Sequence, residues 1–244
     1  MIQRAIVREI LIHEQISPYA TAYRFGSSTL KNANPHVGKK VVLKLDIRKF
    51  FDNMIYPVVK EKVFPKERYS EPNRILLALL CTYKDSLVQG APTSPAISNI
   101  VMRDFDDIVG EWCESRGIAY TRYCDDMTFS GNFDHREVIS LVRSELGRLG
   151  LFLNDKKTVV LKDGQRKEVT GIVVNEKVSV MSDYKRKIRQ QMYYISKFGL
   201  EGHISKAGYT DVDALFGKVN YVLSVEKEND EFKRYRQTLR KKMR

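Results

Sequence analysis

Tyr120-Thr121-Arg122-Tyr123-Cys124-Asp125-Asp126-Met127-Thr128-Phe129-Ser130 is the stretch whose reading decides the fold. Two β-prone runs flank a pair of carboxylates, which predicts a hairpin with Asp125 and Asp126 at or beside its turn. Adjacent acids repel, so a strand pair has no structural reason to carry both there. A divalent cation supplies one, because hard oxygen ligands at a tight turn suit Mg²⁺. Successive strand residues face opposite sides of a sheet, so one of the two acids is expected to look straight into a site. A lone Asp-Asp is more often an ordinary acidic turn; the surrounding sequence argues otherwise.

Upstream, Val41-Val42-Leu43-Lys44-Leu45-Asp46 is a nearly unbroken apolar run ending in a carboxylate, the pattern of a buried strand that delivers an acid to its C-terminal edge. Phe50 and Phe51 follow beside the acid, as a wall for a site or as core filling, and Asp52-Asn53 reads as a turn. Residues 56–64 and 72–84 have helical spacing. Val88-Gln89-Gly90-Ala91-Pro92-Thr93-Ser94-Pro95 breaks it, with Ser94 as a natural N-cap and Pro95 as a first helical residue. Ile97, Val101, Phe105, Ile108 and Trp112 then mark one helix. A small-residue loop feeding a helix N-terminus is a place for phosphate or sugar. Asp106-Asp107 on that helix point about 100° apart and read as a solvated face, not as ligands. Before the first strand, residues 1–16 read as an amphipathic helix closed by Ser17-Pro18. The polar loop of residues 22–29 carries Arg24, a candidate phosphate contact, and Asn32-Ala33-Asn34-Pro35-His36 reads as a turn.

Downstream, residues 135–149 read as a helix. Leu151–Asn154 and Thr158–Leu161 read as strands around the basic corner Lys156-Lys157, and 169–175 with 178–180 as a hairpin turned at Asn175-Glu176-Lys177. From Ser182 the chain reads as helical and basic, with Lys185, Arg186, Lys187 and Arg189 around an apolar stripe and further helices at 211–225 and 229–242. The last twelve residues hold seven Lys or Arg, which read as a solvated end or as a grip on a duplex backbone.

The composition sets the partner. The chain has 244 residues, 42 Lys and Arg against 30 Asp and Glu, a net charge of +12 and a pI near 9.5, which favours a polyanion, nucleic acid before an anionic membrane surface. No apolar run approaches the roughly 18 residues of a spanning helix, and the N-terminus lacks a signal peptide's apolar core. Cys81, Cys113 and Cys124 have no metal-ligand spacing and are odd in number, which fits a reduced cytoplasm. The order strand, helices, hairpin, helix, strand matches the split βαβ sheet of ferredoxin-like folds. Three carboxylates at one edge of such a sheet can hold two divalent ions roughly 4 Å apart. Joined to a basic grip, that arrangement predicts nucleotidyl transfer.

The sequence resembles a reverse transcriptase of the bacterial retron type. Leu45-Asp46-Ile47-Arg48-Lys49-Phe50-Phe51 resembles the first palm motif, Gln89-Gly90-Ala91-Pro92-Thr93-Ser94-Pro95 with Ser98-Asn99 the second, and Tyr123-Cys124-Asp125-Asp126 the third. Asn32-Ala33-Asn34-Pro35-His36 and Val169-Thr170-Gly171 resemble two elements that favour a retron enzyme over a group II intron enzyme. The likeness spans about residues 2–180. It implies an α+β right-hand polymerase: partial fingers over 1–40, a palm over 41–180 with interleaved fingers helices at about 56–88, and a helical basic thumb over 181–244.

By resemblance, Asp46, Asp125 and Asp126 are catalytic and bind two Mg²⁺, with Mn²⁺ as a substitute and the Ile47 carbonyl as a further ligand. Phe51 is the steric gate against a ribose 2′-OH. Gln89 and Gly90 line the dNTP pocket, Arg24 meets the triphosphate, and Lys156 or Lys157 sits near the leaving pyrophosphate. Asn32, His36, Tyr123, Gly171, Lys185, Arg186 and Arg189 are the expected nucleic-acid contacts. The partners implied are dNTPs, a structured noncoding RNA serving as template and primer, the branched RNA–DNA product, and an effector protein of an anti-phage defence system. Two departures stand out. Cys124 replaces the commoner Ala before the acid pair. The chain also starts after the position of a basic fingers hairpin, which implies a truncated or split protein, or a triphosphate held by fewer cations. A catalytically weak RNA-binding scaffold of polymerase shape is the alternative reading; the intact acid triad argues against it.

Overall fold

In the computed structural model, residues 2–207 and 212–242 are described. Four antiparallel strands form the sheet that carries the acids: β1 (Val41–Asp46), β2 (Ala119–Tyr123), β3 (Asp126–Gly131) and β4 (Val159–Leu161), in the order β2-β3-β1-β4. Helices α3 (Tyr56–Val63), α4 (Glu71–Cys81), α5 (Ser94–Val101) and α6 (Arg103–Glu114) lie between β1 and β2, and α7 (His135–Arg148) between β3 and β4. This is the βαββαβ order of a ferredoxin-like sheet. Val42, Leu43 and Leu45 of β1 are all buried, because the strand sits inside the sheet with helices packed over it. The core under the sheet joins Leu43, Leu45, Met127 and Phe129 to Ile97, Val101, Phe105 and Val109 of α5 and α6 and to Val138 and Val142 of α7.

The N-terminal segment forms α1 (Ile2–Glu9), a 3-10 turn (Leu11–His13) and α2 (Thr29–Ala33), shorter than a helix over 1–16. Ser28 caps α2, its hydroxyl accepting from the Lys31 N–H. A second core gathers Leu30 and Ala33 of this segment and a small sheet, β5 (Glu168–Val169), β6 (Ile172–Val173) and β7 (Ser179–Val180). It is completed by the C-terminal helices α8 (Ser182–Ala207, broken at Gly199), α9 (Val212–Val225) and α10 (Asp230–Lys242). No helix among the described residues is long and apolar enough to cross a membrane.

Several local expectations are corrected. The single helix from Ser94 is two, parted at Met102, and its N-cap is Thr93, without a side-chain capping bond. Leu151–Asn154 is not a strand: Leu153 alone bridges to Ile47, and Asp155–Lys157 is a 3-10 turn. The run 169–175 is interrupted by a turn at Thr170 (φ 45°) and Gly171 (φ 80°), where the left-handed backbone suits glycine. Asp106 is no solvated residue. It is fully buried and ion-paired with the equally buried Arg122 at 2.6 Å, whereas Asp107 is partly exposed.

Candidate active site

The sheet register brings the acids together. Asp46, the last residue of β1, pairs with Asp126, the first of β3, and the Ile47 N–H donates to the Asp125 carbonyl at 3.0 Å. Cys124 makes the reversal between β2 and β3 with φ +62°, a left-handed conformation uncommon for a residue with a side chain. Asp46, Asp125 and Asp126 thereby line one open cavity of about 650 Å³; both acids of the pair reach it, where strand alternation predicted one. Ile47, Phe51, Gln89, Gly90 and Tyr123 line the same cavity. Tyr23, Lys49 and Asn154, for which the sequence predicts no role, also line it, and of the two lysines of the basic corner it is Lys157 that does so.

Charge accumulates at this edge. Burial, then Asp125 and Asp46, push the Asp126 carboxyl above the usual range, against the pull of Lys44 and Lys157. Asp46 is nearly buried and doubly held: Asn154 Nδ2 donates to its Oδ1 at 2.9 Å and Lys157 Nζ to its Oδ2 at 2.7 Å. That hydrogen bond and the charges of Asp46, Asp125 and Asp126 raise the Lys157 pKa in turn. Among the described residues, no three His, Cys, Asp or Glu side chains close on a common metal position; Asp46 is ion-paired with Lys157. The donor set nonetheless fits a hard divalent ion, because three carboxylates line one cavity.

Other expected residues lie elsewhere. Arg24 lines a separate cavity of about 510 Å³, and its Nη1 braces its own loop by donating to the carbonyls of Ser17, Pro18 and Ala20 at 3.2–3.4 Å. Lys156 does not line the acid cavity; the 3-10 turn sends its neighbour Lys157 there instead. His36 is fully buried between Ser130 Oγ (2.7 Å) and Thr121 Oγ1 (2.9 Å), so it ties the N-terminal segment to the hairpin and cannot meet nucleic acid. Asn32 is buried too, accepting from Thr21 Oγ1 at 2.5 Å and donating to Thr170 Oγ1 at 3.2 Å; the two retron-like elements thus bond to each other. In the C-terminal helices Lys185 is spent on Glu226 (2.7 Å) and Arg189 on Glu231 (2.8 Å, two bonds), while the exposed Arg186 pairs with Asp183 at 3.1 Å.

A βαββαβ sheet that sets three carboxylates on one edge beside an open cavity defines the palm of a right-hand polymerase. The family model for reverse transcriptase (RNA-dependent DNA polymerase) matches residues 1–187. The chain is 30% identical to the retron Ec86 reverse transcriptase of Escherichia coli over 238 residues, covering 93% of this chain and 69% of that one. It is 34% identical to the retron Ec83 reverse transcriptase of Escherichia coli over 244 residues, covering 92% and 75%. The solved structure of apo telomerase from Candida tropicalis shares the fold with a TM-score of 0.51 at 13% identity, over 91% of this chain and 46% of that longer one. The chain belongs to the reverse transcriptase family and is an RNA-directed DNA polymerase of the retron type.

Proposed function

We propose that this polymerase copies a folded noncoding RNA into DNA by two-metal nucleotidyl transfer, with Mg²⁺ as the resident ion and Mn²⁺ as a substitute. The observation that carries the reading is the register of Asp46 with Asp126, which sets these two acids and Asp125 on one cavity large enough for a nucleotide. Divalent ions held there would lower the pKa of an attacking hydroxyl and offset the negative charge that develops on the leaving oxygen. Asp46, Asp125 and Asp126 would hold the ions, and the Ile47 carbonyl would add a ligand. Phe51, on the cavity wall beside Asp52, would exclude a ribose 2′-OH, and Gln89 and Gly90 would line the base and sugar. Lys157, which donates to Asp46 on the same cavity, would give a proton to the departing pyrophosphate. The Gly171 turn and the basic C-terminal helices would hold primer and hybrid.

Kinship with the retron enzymes supports the finer part of the proposal: priming from an internal guanosine 2′-OH of the same RNA, a branched RNA–DNA product, and work beside an effector protein in anti-phage defence. RNA-templated extension with dNTPs tests the chemistry. DNA is expected with Mg²⁺ or Mn²⁺ and none with EDTA, and Phe51→Ala is expected to lower discrimination against rNTPs about a hundredfold. Synthesis that continues in EDTA would sink the two-metal reading.

A further inference from the structure

Behind the acid turn lies a buried polar cluster that the palm chemistry does not itself use. Arg122 sits on β2, two residues before Cys124, with no exposed surface. Its Nε and Nη2 clasp the Asp106 carboxylate of α6 at 2.6–3.0 Å, and Nη2 also donates to Asn99 Oδ1 of α5 at 3.2 Å. Its Nη1 donates to the Cys124 carbonyl at 2.9 Å, reaching the left-handed residue that turns the chain into Asp125. Tyr120 Oη donates to Asp106 Oδ1 at 2.8 Å, and Asn99 Nδ2 donates to the Ala22 carbonyl at 2.9 Å. Backbone bonds fasten the same spot, from the Arg122 N–H to Tyr19 and from the Thr21 N–H to Arg122. Two helices and the acid turn therefore meet on one guanidinium, and the N-terminal loop is fastened to the backbone of the same residue and to Asn99.

A fully buried ion pair is a poor device for stability, because apolar residues of similar size usually serve as well. Its value is directional: a planar fork with fixed donors can hold a carboxylate and a carbonyl at once. The acid turn needs such a hold, since Asp46, Asp125 and Asp126 repel one another and the reversal at Cys124 is intrinsically disfavoured.

We infer that Arg122 and Asp106 are positioning residues of the active site, a buried clasp that fixes the Cys124 carbonyl and thereby presents Asp125 and Asp126 to the metal ions. The inference deepens the metal-ion reading above and rests on it. The pair is neutral as a whole, so it orients the turn without adding charge to it. Tyr23 Oη, 3.2 Å from Cys124 Sγ, steadies the same turn from the cavity side.

The test is Mn²⁺ binding to the free protein, read by electron paramagnetic resonance, in wild type and in Arg122→Lys. Lysine keeps the buried charge opposite Asp106 but cannot span both the carboxylate and the Cys124 carbonyl. The expected result is Mn²⁺ affinity at least about tenfold weaker, with a cooperative melt retained and the dNTP KM little changed while kcat falls. A folded Arg122→Lys protein that binds Mn²⁺ as tightly as wild type overturns the inference. A wild type that binds no Mn²⁺ overturns the metal-ion reading and the inference with it. Should Arg122→Lys not fold, the wild type decides: the Arg122 Nε–H resonance is expected to shift as Mg²⁺ saturates the protein, and a resonance that stays still through saturation overturns the clasp.

Discussion

His36 shows how a residue of recognisable pattern can hold an unexpected place. Its ring bridges Ser130 and Thr121, one nitrogen donating and the other accepting while the ring is neutral. Burial, with the nearby charge of Lys39, lowers its pKa to about 4 from an ordinary 6.5. The unfolded chain therefore takes up a proton below pH 6.5 that the folded one refuses until about pH 4, so stability is lost as pH falls through that window. The full loss from this group is about 3 kcal/mol. Urea unfolding at pH 7.5 and 5.0 checks it: His36→Gln is expected to be less stable than wild type at the higher pH and to show a flatter pH dependence. A steeper dependence in the variant would contradict the buried neutral ring. Nothing in Asn32–His36 itself marks the pair as buried, because His36 bonds to residues 94 and 85 positions away and Asn32 to one 138 away. Asp106 is hidden from local pattern for the same reason. Its helix face predicted solvent, and its arginine lies on a strand 16 residues on. Asp46, Asp125 and Asp126 were legible because Asp46 ends an apolar strand and the acid pair sits at the turn of a β-prone hairpin, both of which can be read locally.

At the scale of elements, strand and helix existence followed from periodicity, while the short pieces did not. Lys157 rather than Lys156 faces the acids because the basic corner that carries them is a 3-10 turn, and so short a turn leaves no periodic trace. The break at Met102 is likewise invisible in an apolar spacing that continues through it. Packing between elements makes two glycines behave oppositely. A Cβ built on Gly110 of α6 would overlap the Tyr19 ring, which lies between that helix and Tyr120 of β2, whereas one on Gly147 of α7 meets nothing within 4 Å. Gly110→Ala is expected to destabilise by about 1–3 kcal/mol through overpacking, and Gly147→Ala to stabilise by about 0.5–1 kcal/mol through helix propensity. Thermal melts of the two variants decide; equal shifts would contradict the close docking of α6 on the Tyr19 loop.

For the whole molecule, the excess of +12 is not spread where the basic stripe of α8 suggested. Lys185 and Arg189 are neutralised by Glu226 and Glu231 and knit α8 to the corner that follows α9 and to α10. On the far helices, Arg236 and Arg240 share a groove of about 460 Å³ with Phe216, Asn220 and Gln237, and among the described residues neither arginine is ion-paired. Replacing both with Ala is expected to weaken RNA binding and to lower the slope of log affinity against log salt by about 1.5–2. Arg189→Ala is expected to act mainly on stability; the reverse pattern in a salt titration would return the nucleic-acid face to α8. The central claim, that three carboxylates gathered by the β1–β3 register run metal-dependent DNA synthesis, is tested most directly by primer extension on an RNA template with Mg²⁺ and dNTPs. Wild type is compared with the Asp125→Asn, Asp126→Asn double variant, whose fold is checked by its melt. The account predicts extension by wild type and none by the folded variant, a loss of several orders of magnitude. Extension by the folded double variant at the wild-type rate would contradict it.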